Sequence, residues 1–264
     1  MQKGTAMDNL FTSTPDDLEH ASEEENRRAR EYADGQQVRE EFRGEKRLPV
    51  EFILDTSGSM QENGKIDELN EGIVAFIEAI INKDETTGCV DVGVITMGGI
   101  KPEIVAPLET VHDYKKERVY EADGYTLVGE ALQMAVSEVT SRKLFYRNNN
   151  IQYYRPLIIM LSDGYPTDNE GYVIRDEQVI QQYVDFVKEK TDSKSAAFYT
   201  FYIGKDSKAK ETMQRLASTI KGTTYAYTLN DEKGNLADLF NYLSINITQK
   251  VEQATDGEND ILFK

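Results

Sequence analysis

Candidate ligands for a cation stand where apolar runs stop. The run Val50-Glu51-Phe52-Ile53-Leu54 ends abruptly at Asp55, and two hydroxyls follow at alternate positions, Ser57 and Ser59, with Gly58 between them. A buried strand would carry Asp55 to a sheet edge, and Gly58 would let the backbone curl so that the three oxygens turn inward together. A second apolar run, Leu157-Ile158-Ile159-Met160-Leu161, stops the same way at Ser162-Asp163-Gly164. Between them lies Asp123-Gly124-Tyr125-Thr126, a glycine turn ahead of a helix-like segment. Asp55, Ser57, Ser59, Thr126 and Asp163 are therefore candidate ligands of one metal site. Hard oxygen donors in a tight loop suit a hard cation such as magnesium, and manganese or calcium would serve the same donors. For Asp55, Ser57 and Ser59 alone, a capped turn and helix start is an equal alternative. Thr126 and the second strand-end aspartate argue against it.

This constellation resembles the metal-ion-dependent adhesion site (MIDAS) of von Willebrand factor A (VWA) domains. The family pattern is Asp-x-Ser-x-Ser, a later Thr and a later Asp, and all five positions match. The closer resemblance is to bacterial TerY-like VWA proteins of the tellurium-resistance group. It rests on Arg47-Leu48-Pro49-Val50 leading into Asp55-Thr56-Ser57-Gly58-Ser59-Met60, and on Leu161 through Asp168, and covers roughly Arg47 to Lys250. It departs at Tyr125, where many relatives have a second glycine; a bulky ring is then expected at the site's mouth. The resemblance implies that Ser57, Ser59 and Thr126 touch the metal and that Asp55 and Asp163 hold it partly through water. It also implies a non-catalytic scaffold in stress or defence signalling whose protein partner offers a Glu or Asp to the metal. Kinases and metal-dependent phosphatases are the partners its context suggests.

The elements around these residues alternate. A strand at about 49–54 is followed by a helix whose Ile66, Leu69, Ile73, Phe76, Ile77 and Ile80 recur at the helical period. Val90, Val92, Val94 and Thr96 alternate as a strand, Gly98-Gly99 marks a hairpin, and Glu103 to Leu108 returns. A helix at about 127–141, the 157–162 strand, a helix with Tyr183 and Phe186, strands at 197–203 and 223–229 and a last helix at about 235–250 complete the pattern. The expected fold is α/β: a doubly wound, mainly parallel six-stranded sheet with one antiparallel edge strand and helices on both faces. In the order 3-2-1-4-5-6, Asp55 and Asp163 sit at the carboxyl ends of the strands flanking the topological switch point, where such folds bind ligands.

Composition narrows the function classes. The chain of 264 residues carries a formal charge of −17 and is 39% hydrophobic, enough for one sizeable domain. That charge opposes nucleic acid and anionic membranes as partners. No apolar run of membrane-spanning length and no signal segment is present, so a cytoplasmic location is expected and an extracellular adhesin is disfavoured. Cys89 stands alone, so no internal disulfide or cysteine metal cluster can form. No catalytic residue is assigned. The alternative to an adaptor is a magnesium-dependent phosphatase or other hydrolase using Asp55, in the manner of haloacid-dehalogenase-type enzymes. That chemistry needs a second carboxylate two residues on, where Ser57 stands. No phosphate-binding Gly-x-x-x-x-Gly-Lys-Ser/Thr loop exists, and His20 and His112 lack a nucleophile-elbow context.

Three segments flank or interrupt the domain. Residues 1–46 read as an acidic helical or partly disordered arm, with Thr14-Pro15-Asp16-Asp17 as a helix start and Gly35 as its end. Leu18, Ala21, Ala29 and Tyr32 offer it a thin apolar face for docking on its own domain or on a partner. Residues 143–155 read as a polar loop whose tyrosines and arginines suit an interface. The domain proper is 47–251, and 252–264 reads as an acidic flexible tail ending in Ile261-Leu262-Phe263, a candidate docking tag.

Overall fold

Strands and helices alternate along the chain in the computed structural model, which describes residues 18, 21–35, 44–84, 88–229, 235–254 and 260–263. The order is α1 (Glu23–Gly35), β1 (Leu48–Leu54), α2 (Lys65–Asp84), β2 (Val90–Thr96), β3 (Glu103–Thr110), α3 (Val128–Asn148), β4 (Leu157–Ser162), α4 (Glu177–Asp192), β5 (Ala197–Ile203), α5 (Ser207–Arg215), β6 (Thr219–Ile220), β7 (Thr223–Thr224), β8 (Ala226–Leu229) and α6 (Asn235–Gln253). Six strands form one sheet in the order β3-β2-β1-β4-β5-β8. β1 is parallel to β2, with Leu48 opposite Val90, and to β4, with Val50 opposite Leu157; only β2 and β3 run antiparallel. This is the expected doubly wound sheet with one antiparallel edge.

The side chains of β1 alternate between two cores. Val50, Phe52 and Leu54 point to the α2 and α6 side, where Phe52 meets the Phe76 ring edge-on at 5.1 Å and Phe240 at 5.9 Å. Ile53 points to the other side, with Ile158 and Met160 of β4, Leu132 and Val139 of α3, and Ile180 and Phe186 of α4. All seven residues of β1 are buried, as a central strand covered on both faces requires. The chain leaves β1 toward α2 on one face and β4 toward α4 on the other, so a crevice opens between their carboxyl ends.

One charged group inside this sheet, Asp91 of β2, changes the expected outline. Asp91 of β2 is fully buried and ion-paired to Arg47; Arg142 donates to its Oδ2 from Nε at 2.9 Å and from a terminal nitrogen at 2.6 Å, and the Tyr146 hydroxyl donates to the same oxygen. Burial alone would raise the Asp91 carboxyl, but the charges of Arg142 and Arg47 reverse that and hold it at about 2. To deliver these groups α3 runs on to Asn148, seven residues past the expected end at 141. The expected 143–155 surface loop is therefore corrected. Lys143, Leu144, Phe145, Tyr146, Tyr154 and Arg155 are buried, and Arg147 to Asn150 and Gln152 are exposed. Helical residues spaced by four, Arg142 and Tyr146, share a face, and here that face closes over Asp91.

The flanking segments also differ from expectation. α1 starts at Glu23 behind a capping box: the Glu25 amide donates to Ser22 Oγ at 3.1 Å, and the Ser22 amide donates to the Glu25 carboxylate at 2.8 Å. The expected start at Thr14 lies outside the described residues. Ala29 and Tyr32 of α1 are buried against α3, and Arg28 and the Tyr32 hydroxyl both donate to Glu138, which is buried. The expected strand 223–229 is split: β7 turns back on β6 through Lys221 and Gly222, both at positive φ, and only β8 joins the main sheet. Four residues of the tail, 260–263, lie against the domain. Phe263 stacks on Tyr199 with centroids 4.7 Å apart, its amide donates to the Tyr199 hydroxyl at 3.0 Å, and Asp260 lies 3.6 Å from Arg155. Phe263 finds partners there because Tyr199 of β5, Tyr227 of β8 and Tyr242 of α6 lie together at that side of the sheet.

Two stability outcomes follow from the buried charges. Asp91→Ala leaves Arg47 and Arg142 buried without their counter-charge and should cost about 3–5 kcal/mol in denaturant unfolding. Glu51 of β1 is fully buried, neither of its oxygens accepts a hydrogen bond among the described residues, and it fills the space opposite Gly93. Burial, and then the charge of Glu138, push its carboxyl well above the usual range. The folded state thus keeps a proton that the unfolded chain releases, so stability falls as pH rises above the ordinary glutamate range. Glu51→Gln removes that loss. Its melting temperature should rise relative to the parent as pH is taken from 5 to 8, and a constant difference across that range would refute the assignment.

Candidate metal centre

The end of β1 is tied to β4 before the loops diverge: the Asp55 amide donates to the Leu161 carbonyl at 2.9 Å. Asp55 is fully buried. Its Oδ1 accepts from the Ser57 amide at 2.9 Å, and its Oδ2 accepts from the Ser162 hydroxyl. Ser57 Oγ lies 3.0 Å from Ser59 Oγ, and Ser59 Oγ donates to Asp163 Oδ1 at 2.7 Å. Four of the five sequence-derived residues, Asp55, Ser57, Ser59 and Asp163, thus form one continuous chain of polar contacts across the crevice. Thr126 lies beside this chain of contacts. A Cβ built on Gly164 would lie 3.7 Å from Thr126 Oγ1 and 4.0 Å from Ser59 Oγ, so both hydroxyls approach Gly164.

Backbone bonds hold the loops in this arrangement. The Gly58 amide donates to the Gly124 carbonyl at 3.3 Å, the Asp123 amide to Thr56 at 2.8 Å, and the Gly99 amide to Asp123 at 2.7 Å. The Tyr125 amide returns to Gly99 at 2.9 Å, and the Leu127 amide reaches Met97 at 3.0 Å. Gly124 adopts φ +71° and lies so near Gly99 that a Cβ would sit 2.2 Å from the Gly99 carbonyl oxygen. Only glycine meets both demands. Thr167 braces Thr126 from the other side, accepting from the Thr126 amide on Oγ1 at 2.9 Å and donating its own amide to the Thr126 carbonyl at 2.9 Å. The Tyr125 ring leans on Gly171, where a Cβ would come within 2.4 Å of it. Asp168 caps its own turn, accepting from the Glu170 amide at 3.0 Å and the Tyr172 amide at 2.9 Å.

Electrostatics favour a cation here. Burial pushes the Asp55 carboxyl up to about 6, with the Asp163 charge adding to the rise and the Ser162 and Ser57 hydrogen bonds opposing it. Two carboxylates this close, one without solvent, repel unless a positive charge joins them. The chain provides a stand-in that the sequence reading missed: the Lys65 ammonium donates to Asp163 Oδ2. Lys65 opens α2, and a basic residue at a helix N-terminus runs against the helix dipole, which is a sequence signal that it answers to something else. The other donors are neutral hydroxyls. No group of three His, Cys, Asp or Glu side chains that could hold a metal exists among the described residues. Two carboxylates with three hydroxyls fit a hard divalent cation rather than a soft one. Asp55, Ser57, Ser59, Thr126 and Asp163 would hold it.

Because Gly124 sets the approach of two of the three loops, Gly124→Ala should destabilise the fold by roughly 1–3 kcal/mol from the backbone conformation alone. It should also weaken divalent-cation binding measured by calorimetry. Unchanged cation affinity in the folded variant would show that the Thr126 loop is not part of the site.

A family model described as the von Willebrand factor type A domain matches residues 50–241, a span that contains all five residues. No curated protein compared with the chain matches it. Among solved structures the chain is similar to the pilus adhesin SpaC from Lactobacillus rhamnosus GG in its open conformation, at 15% identity and a TM-score of 0.56, covering 81% of this chain and 31% of that one. It is similar to the PilB minor pilin from Streptococcus sanguinis at 13% identity and a TM-score of 0.53, covering 81% and 64%. Proximal thread matrix protein 1 from the mussel byssus, in a structure with a zinc occupied MIDAS motif, gives 14% identity and a TM-score of 0.50 over 76% and 45%. Likeness at these identities speaks to the fold, and the family match speaks to descent: the chain belongs to the von Willebrand factor type A domain family.

Proposed function

We propose that this chain is a non-catalytic adaptor that binds a protein partner through magnesium held by Asp55, Ser57, Ser59, Thr126 and Asp163. VWA domains commonly mediate protein–protein interaction through a MIDAS. The observation that carries the reading is the Ser57–Ser59–Asp163 chain of contacts that joins the ends of β1 and β4 at the topological switch point. Ser57, Ser59 and Thr126 would contact the ion through neutral oxygens, with Asp55 and Asp163 holding it partly through water. An ion with so few direct anionic ligands stays electrophilic and attracts an outside carboxylate. The partner therefore offers a Glu or Asp. Manganese or calcium would fill the same donors.

The motif resemblance supports a finer setting: a TerY-like adaptor, cytoplasmic, serving a bacterial stress-response, tellurium-resistance-like or defence system, with a kinase or metal-dependent phosphatase as partner. The charge of −17 disfavours nucleic acid and anionic membrane as partners. No described helix is long and apolar enough to cross a membrane. The binding unit is 47–251, flanked by the 1–46 arm and the 252–264 tail. A hydrolase using Asp55 has less support, because the second carboxylate that such chemistry needs two residues on is replaced by Ser57.

Affinity capture from lysate, in magnesium against chelator and with wild type against Asp163→Ala, tests this reading. A protein retained only by wild type in magnesium is expected. Recovery of the same proteins regardless of metal and mutation would remove the site as the binding surface. Generic phosphatase turnover abolished by Asp55→Asn would replace the adaptor with the hydrolase.

A further inference from the structure

Lys65 is a residue of the site that the Asp-x-Ser-x-Ser pattern does not contain. Its side chain is 11% exposed and that of Asp163 is 2% exposed, so their contact is largely closed to water. Ser59 donates to Asp163 Oδ1 while Lys65 donates to Oδ2, so the chain's own donors take both oxygens of this carboxylate. One of those donors is a full positive charge. It opens α2, joined to the Asp55–Ser59 loop by a short 3-10 segment over Gly58–Gly64. An ammonium tethered this closely needs no diffusional encounter to reach Asp163, whereas a free ion does.

We propose that Lys65 is a built-in counter-cation that competes with the divalent metal for Asp163. It neutralises the carboxylate pair when metal is scarce and is displaced when the metal loads. This rests on the metal-site reading above and adds to it a regulation: Lys65 lowers the affinity of the site, so that occupancy, and with it partner capture, follows the free metal concentration. The buried Asp55 explains why such a device would be selected. Without any cation, the charge of Asp163 would act unopposed on the fully buried Asp55 carboxylate.

The test uses the full chain and manganese as the probe, with binding followed by electron paramagnetic resonance and magnesium as competitor. Lys65→Met keeps a long apolar stem, removes the charge and adds only a soft donor. It should bind manganese at least about tenfold more tightly than wild type, since an opposite charge at contact distance is worth that much or more to a carboxylate. Without metal, Lys65→Met should melt below wild type, and saturating metal should close the gap. Equal or weaker manganese affinity in Lys65→Met overturns the inference. Amine labelling of the wild-type chain, read residue by residue by mass spectrometry, covers the case in which the variant does not fold. Lys65 labelling should rise when magnesium saturates the protein, and unchanged labelling despite bound metal overturns the inference equally. Asp163→Ala separates the two readings. Binding that this variant abolishes keeps the metal site whatever Lys65 does, whereas no binding by wild type or Lys65→Met removes both.

Discussion

Two carboxylates at the ends of neighbouring parallel strands, one of them fully buried, repel each other unless a cation joins them. Asp55 and Asp163 occupy that position because β1 and β4 are adjacent and in register, and because helices leave them on opposite faces. The apolar runs that make both strands central also strip water from their ends. The same burial that stabilises the sheet therefore raises the cost of the charges at its edge. Serine hydroxyls, the Lys65 ammonium and, in the functional reading, a divalent ion are successive answers to that cost.

A second set of buried charges answers the same problem differently. Asp91 is met by two arginines and a tyrosine, all from this chain, and its carboxyl is held low. Glu51 is met by no partner among the described residues, and its carboxyl is held high. Glu138, between them, is satisfied from outside the domain proper by Arg28 and Tyr32 of α1. The acidic arm is thereby joined to the core through a buried carboxylate, which a thin apolar face alone could not do. At the far edge of the sheet the tail adds Phe263 to a row of tyrosines. Both flanking segments close gaps that the alternating strands and helices leave open.

The fold was legible because its signals are local and repeated. β1, β2, β4 and β5 are short apolar runs, α2 and α6 keep a helical period, and Gly98-Gly99 marks the one hairpin of the main sheet. The nearness of the candidate ligands was legible because Asp55 and Asp163 each stop such a run, and because glycine at 58 and 124 signals sharp backbone turns next to the oxygens. The end of α3 was not legible. Lys143 to Tyr154 mixes lysine, arginine, tyrosine and asparagine, which reads as polar surface until a buried Asp91 from a distant strand is known to need them. The packing of Phe263 on Tyr199 was not legible for the same reason, because Phe263 has nothing to pack on within its own segment.

By itself the sequence determined the strand ends, the donor types and their spacing along the chain, because hydrophobic period and glycine placement act over a few residues. Which charges meet was decided only by the tertiary structure. Lys65 with Asp163, Arg142 with Asp91 and Arg28 with Glu138 are each separated by dozens of residues or more. No local pattern encodes such pairs. They arise because burial removes water as an alternative partner, and each charge then takes whatever opposite charge the fold has brought within reach.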